Sequence, residues 1–266
     1  MEIERLRCVL VHYHIFKNAG TTVEEILAHS FFDRFERLDT EESDTVLPDR
    51  DLIRFVRDRV HLQAVSSHQI RYPLPEAPGI LFFDLCFLRD PLDRLRSTYD
   101  YFREKPFPGL AASDLANNYG IGEFLERIVE GHPWLIQDAQ VNILAGRSPD
   151  DPPAGPAELE IALRTMLATA FLGVVDCFRE SLVAGAHFLR PIFPHFDLEQ
   201  PAANVSGGMG GTLQSRIGAM ESATKPDVWA EVLRLNALDR ELVDRARAEV
   251  LRRYAIAQAH PSSAAI

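Results

Sequence analysis

Apolar positions along this chain fall into short continuous runs separated by longer stretches with a period of three to four. Residues 6–15 predict a buried strand, and 21–32, with Val23, Ile26 and Leu27 on one face, predict the helix that follows. The acidic, polar stretch 33–51 contains Pro48 and predicts a surface loop. A helix is expected at 52–59 and a short strand at 62–66, ending at Ser67-His68. Pro73, Pro75 and Pro78 make 71–79 a loop. The near-continuous apolar run 80–88 is the strongest strand, of the kind covered on both faces in a parallel sheet. Asp90 as N-cap and Pro91 at the first helical position open the next helix, where Leu92, Leu95, Tyr99 and Phe102 recur at helical spacing. Helices are predicted at 121–130, 134–145 and 157–169, with a linker carrying Pro149, Pro152, Pro153 and Pro156 between the last two. A strand at 171–178 and a helix at 181–189 follow. Residues 190–225 show little regular pattern and include the glycine loop Gly207-Gly208-Met209-Gly210-Gly211; 228–254 predict two helical segments. Strands alternating with helices indicate an α/β parallel sheet, here one domain over 1–258 with a disordered tail at 259–266.

Two strand–turn–helix junctions carry phosphate-binding groups. In Lys17-Asn18-Ala19-Gly20-Thr21-Thr22 the small Ala19 and Gly20 let backbone N–H groups approach an anion. The helix after them points its positive end at the same place, Thr21 and Thr22 add hydroxyls, and Lys17 adds a mobile cation. The order is not that of a Walker A loop, because Lys17 precedes the glycine. The second junction is Arg89-Asp90-Pro91, with Ser97 two turns into its helix. Guanidinium and hydroxyl can converge on one phosphate, Arg supplying bidentate geometry. The simpler alternatives are an ordinary turn for the first junction and an Arg–Asp pair beside a helix cap for the second, with Arg94 and Arg96 on a solvated face.

Charge narrows the classes. A net charge of −11 over 266 residues argues against a general nucleic-acid binder or a polybasic membrane protein, so any anion is held by a local pocket. Cys8, Cys86 and Cys177 sit in apolar runs and read as reduced structural thiols, which points to the cytoplasm. Glu2, Glu4, Arg5 and Arg7 interrupt any signal peptide, and no apolar run approaches the roughly 20 residues that span a bilayer, so no stable membrane insertion is expected. Cys and His show no metal-ligand spacing, and no metal is expected.

The two junctions, in this order and separation, resemble the sulfotransferase family that uses 3′-phosphoadenosine-5′-phosphosulfate (PAPS), specifically its glycosaminoglycan-type (sulfotransferase family 2) branch. The segments concerned are His14-Ile15-Phe16-Lys17-Asn18-Ala19-Gly20-Thr21-Thr22 and Arg89-Asp90-Pro91 through Arg94, Ser97, Tyr99 and Tyr101. Weaker similarity covers Gln140 to Gly146, Leu172 to Leu182 and Asn236 to Leu242. The resemblance implies a P-loop-like sulfotransferase fold and PAPS as co-substrate. It implies that Lys17, Asn18, Ala19, Gly20, Thr21 and Thr22 hold the 5′-phosphosulfate, that Lys17 also neutralises the leaving oxygen, and that Arg89 and Ser97 grip the 3′-phosphate. Phe16 stands where the family has proline and Asn18 where it has threonine; the Asn18 amide is expected still to donate to a bound oxygen.

Sulfuryl transfer to a hydroxyl needs a base near neutral pH, which suits histidine. His68, at the end of a strand and matching the family's Gly-His position with Ser67 for the glycine, is the expected base. His12, His14, Glu24 and Glu25 are the alternatives; for the histidines a satisfied position on the first strand, and for the glutamates a solvated helix face, are the simpler readings. Arg216 could reach the 3′-phosphate or be solvated. The acceptor is expected to be a hydroxylated small molecule or glycan. Two rivals remain: a nucleotide-dependent kinase, with Asp176 the one candidate magnesium carboxylate and magnesium dependence its signature, and a PAPS or adenosine-bisphosphate binding protein without turnover.

Overall fold

The computed structural model describes residues 6–41, 45–196 and 211–260. Five strands form one parallel sheet: β1 (Arg7–Tyr13), β2 (Phe35–Arg37), β3 (Ala64–Ser67), β4 (Ile80–Leu88) and β5 (Phe171–Val174). Their order is β2-β3-β1-β4-β5. The helix after β1 is α1 (Gly20–Phe31), and it leads away toward β2. The helix after β4 is α3 (Pro91–Glu104), and it leads away toward β5. Neighbouring strands whose connections leave in opposite directions create a crevice at their carboxyl ends, where ligands bind in open α/β sheets.

Alternating β1 residues feed two cores. Leu10 packs with Val23, Ile26 and Leu27 of α1 and with Leu182 and Ala186 of α8 (Phe178–Leu189). Val9, Val11 and Tyr13 pack on the other face with α2 (Asp49–Asp58), α6 (Ala139–Leu144), α7 (Pro156–Ala168) and α11 (Ala237–Ala259). This two-sided cover explains why β1 and β4 read as apolar runs. A third core, built on Leu92, Leu95, Phe102, Phe124 and Trp229, joins α3, α4 (Ala111–Asn118), α5 (Ile121–Gly131), α9 (Leu213–Ser222) and α10 (Pro226–Leu235) beside the crevice.

Several departures from the sequence pattern have local causes. The 33–51 stretch is not all loop: the three-residue β2 adds to the sheet edge along β3, too short for alternation to reveal it. The predicted helix 134–145 is broken, with a 3₁₀ turn at Pro133–Leu135 and α6 starting only at Ala139. Asp138 between them is left-handed (φ 40°) and its carboxylate accepts from Leu238 N and Asp239 N, capping α11 instead of continuing a helix. The strand predicted at 171–178 ends at Val174, whose N–H donates to the Ser181 hydroxyl while that hydroxyl donates to Cys177 O, and α8 starts early, at Phe178. In the patternless 190–225 stretch, α9 forms behind a Thr212 N-cap whose hydroxyl accepts from Ser215 N. Gly207 to Gly210 lie outside the described residues, as do 261–266 of the tail expected at 259–266, whereas Ala259 is helical as the last residue of α11. Among the described residues no helix is long and apolar enough to cross a membrane.

Candidate functional site

A cavity of about 970 Å³ opens at the β1/β4 crevice, at the upper end of volumes usual for small-molecule sites. Lys17, Ala19, Gly20, Thr21, Thr22, Arg89, Ser97 and His68 all line it, so the fold brings both junctions and the expected base to one space.

The first junction is strained toward its task. Lys17 (φ 65°) and Ala19 (φ 61°) are both left-handed without being glycine, a cost of about 1–2 kcal/mol each. Left-handed residues in such a turn are one half of the alternating backbone nests that bind anions. Among the described residues no side chain caps α1, so the first-turn N–H groups, which have no intrahelical partner, face the cavity as donors for an anion. Lys17 Nζ stands 4.3 Å from the Tyr101 ring centroid, a cation–π contact that holds it at the cavity wall. Burial and the nearby Arg89 charge lower its pKa.

Asn18 corrects the sequence expectation. Its side chain is buried and turned away from the cavity, Nδ2 donating to Phe87 O and Gln140 Oε1, both at 2.8 Å. Its backbone N–H bonds Ile15 O, so neither donor is available to a bound oxygen.

The second junction works through side chains. Helix α3 is capped by its own Asp90, which accepts from Leu92 N and Asp93 N, so its N-terminus is already satisfied. Arg89 Nε and Nη2 both contact Asp93 Oδ2 at 2.8 Å, and Nη1 donates to Lys17 O at 2.8 Å, tying the second junction to the first. Arg216, on α9, donates to the other Asp93 oxygen at 2.7 Å and also lines the cavity. Burial alone would raise the Asp93 pKa, but the Arg216 and Arg89 hydrogen bonds and charges hold it below the ordinary carboxylate value. Two guanidiniums thus share one carboxylate on the cavity wall that Ser97 also lines, with the Asp176 and Asp90 charges close enough to act on Arg216. Arg96 lines the cavity paired with Asp100. Arg94 is not on a solvated face: it is buried, close enough to Asp239 for that charge to act on it.

A chain of polar groups lies behind His68. Glu24 is buried, not solvated; its Oε1 accepts from His14 Nδ1 (2.9 Å) and Ser66 Oγ (2.8 Å), and its Oε2 pairs with Arg37. Ser66 spends its one proton on Glu24, so its oxygen accepts from His12 Nδ1 at 2.9 Å. Burial raises the Glu24 pKa, yet the His14 and Ser66 hydrogen bonds and the charges of His14 and Arg37 take it down to about 2. Burial, then the His14 charge, lowers His12 well below its ordinary value. The His68 ring lies 3.7 Å from that of His14, and its backbone N–H is fixed by Asp39 Oδ1 at 2.8 Å. Burial, then His14, lowers the His68 pKa, leaving it neutral at neutral pH. Glu25 is exposed on the cavity.

Ligand atoms of His12, His14 and Glu24 fall within 4.8 Å of one another, a grouping that sequence spacing does not reveal. Their mutual hydrogen bonds through Ser66, with Arg37 on the second Glu24 oxygen, account for that closeness. Of the charged groups that meet at the second junction, Asp93 was missed in sequence. Arg216 was weighed in sequence as a group that could reach the 3′-phosphate or be solvated, whereas Asp93, four residues after Arg89, was not singled out.

No family model matches this chain. The chain is similar to an uncharacterized protein of Archaeoglobus fulgidus, 25% identical over 244 residues that cover 90% of this chain and 96% of that protein.

Proposed function

We propose that this protein is a PAPS-dependent sulfotransferase that moves a sulfuryl group to a hydroxyl of a small-molecule or glycan acceptor. The observation that carries the proposal is the pair of differently built cationic sites on one cavity: an uncapped helix N-terminus with Lys17, and the Arg89–Asp93–Arg216 cluster with Ser97. A nucleotide with phosphate at two positions fits such a pair, and the side chains present suit it. His68, neutral at neutral pH, takes the proton of the acceptor hydroxyl. As the acceptor oxygen bonds to sulfur, the bond from sulfur to the phosphate oxygen breaks. Lys17 and the first-turn N–H groups of α1 stabilise the charge left on that phosphate. Because its pKa is lowered, His68 stays competent into mildly acidic solution.

The test is transfer of labelled sulfate from PAPS to a panel of hydroxylated acceptors, without added metal. His68→Ala should abolish transfer and leave adenosine 3′,5′-bisphosphate binding intact. A fully active His68→Ala protein would remove it as base. Binding without transfer to any acceptor would favour a sensor, and magnesium-dependent phosphoryl transfer from ATP would favour a kinase.

A further inference from the structure

Gln140 is the second residue of α6 and is fully buried between the two junctions. Its side-chain amide uses all four of its hydrogen-bonding positions. Oε1 accepts from Asn18 Nδ2 (2.8 Å) and Arg89 N (2.9 Å); Nε2 donates to Arg89 O (2.9 Å) and Asp239 Oδ2 (3.2 Å). An N–H only donates and a carboxylate only accepts, so these partners fix which way the amide points. Asp239 anchors it from behind, accepting from Gln140 N and Val141 N at the start of α6. Neither Gln140, Asn18 nor Asp239 lines the cavity. Asn18 sits between the two left-handed residues Lys17 and Ala19, and the Arg89 main chain carries the guanidinium of the second site. One buried amide therefore joins the backbones of both anion sites.

We propose that Gln140 is a positioning residue that sets the distance between the two anion sites and so makes the pair selective for one phosphate spacing. This rests on the reading that the pair binds a nucleotide bisphosphate. A ligand bridging two sites gains affinity only while their separation matches its own, and loosening either site erodes that gain without weakening either contact alone.

The test uses Gln140→Met, which removes the whole side-chain clasp at similar volume, and Asn18→Ala, which cuts the arm to the first junction together with the Asn18–Phe87 bond, each in the full chain. Adenosine 3′,5′-bisphosphate, adenosine 2′,5′-bisphosphate and adenosine 5′-monophosphate are titrated against each. Both variants should lose about tenfold in 3′,5′-bisphosphate affinity, with monophosphate binding within about twofold and the preference over the 2′,5′ isomer reduced. Equal losses for all three ligands, as a merely structural role predicts, or an unchanged isomer preference would overturn the proposal. Amide hydrogen exchange without ligand is the second readout. Either variant should exchange faster at both 16–22 and 89–93 while β5 stays protected. Loosening at both junctions in a protein whose wild type binds no bisphosphate would refute the nucleotide reading and support the clasp. Faster exchange at one junction only, or at neither, would overturn the clasp whatever the ligand results. Should Gln140→Met fail to fold, Asn18→Ala supplies both readouts.

Discussion

Replacing Gly20 by alanine probes how tightly the first anion site is built. A Cβ at Gly20 would lie 1.9 Å from both Cδ2 and Nε2 of His14, far inside contact distance. The imidazole cannot simply swing aside, because Nδ1 is bonded to Glu24 and the ring lies against His68. Displacing it breaks a hydrogen bond to a buried charge, about 1.5–3 kcal/mol. Repacking the ring adds roughly 1–3 kcal/mol. The intrinsic helix preference of alanine returns at most about 1 kcal/mol. Gly20→Ala should therefore destabilise the protein by about 2–5 kcal/mol, read as a lower urea midpoint with unchanged slope. The cost belongs to one contact, so a double-mutant cycle isolates it: in a His14→Ala background the same change should cost under about 0.5 kcal/mol. A neutral Gly20→Ala, or a cost that persists without the His14 ring, would refute this account of the glycine.

Other predictions follow from single groups. Arg216→Ala leaves Asp93 opposed by Arg89 alone, so it should weaken adenosine 3′,5′-bisphosphate binding while leaving 5′-monophosphate binding unchanged in calorimetry; equal losses would remove Arg216 from the second site. Burial, with the Asp239 charge adding to it, pushes Asp138 up to about 7. Unfolded, that carboxyl ionises near pH ~3.9, so between about pH 4 and 7 the unfolded chain releases a proton the fold retains, and stability falls as pH rises. Asp138→Asn keeps the acceptor for Leu238 and Asp239 N–H and should flatten that slope, gaining on the order of 2–4 kcal/mol at pH 8. An unchanged slope over that window would contradict the assignment.

What the sequence revealed follows from the length scale of each signal. The strand 80–88 and the Asp90-Pro91 helix start were legible because burial on both faces and capping are local properties. Lys17, Gly20 and Arg89 were legible as a spaced pair of junctions, and the fold brings them to one cavity. Asn18 was misread because its orientation depends on Phe87 and Gln140, 69 and 122 residues away. Glu24 looked solvated because one turn of helix does not disclose that Ser66 and His14 approach it across the sheet. Arg216 was open in sequence between the 3′-phosphate and solvent, because its bond to Asp93 depends on α9 packing against α3 across 123 residues.

The central claim is that two separate anion sites on one cavity hold a nucleotide with phosphates at both ends. Isothermal titration of the full chain with adenosine 3′,5′-bisphosphate, adenosine 5′-monophosphate and ATP, all without magnesium, tests it most directly. Selective binding of the bisphosphate, at micromolar dissociation constants or tighter, is the predicted result. Preference for ATP, or no binding of any of the three, would contradict it.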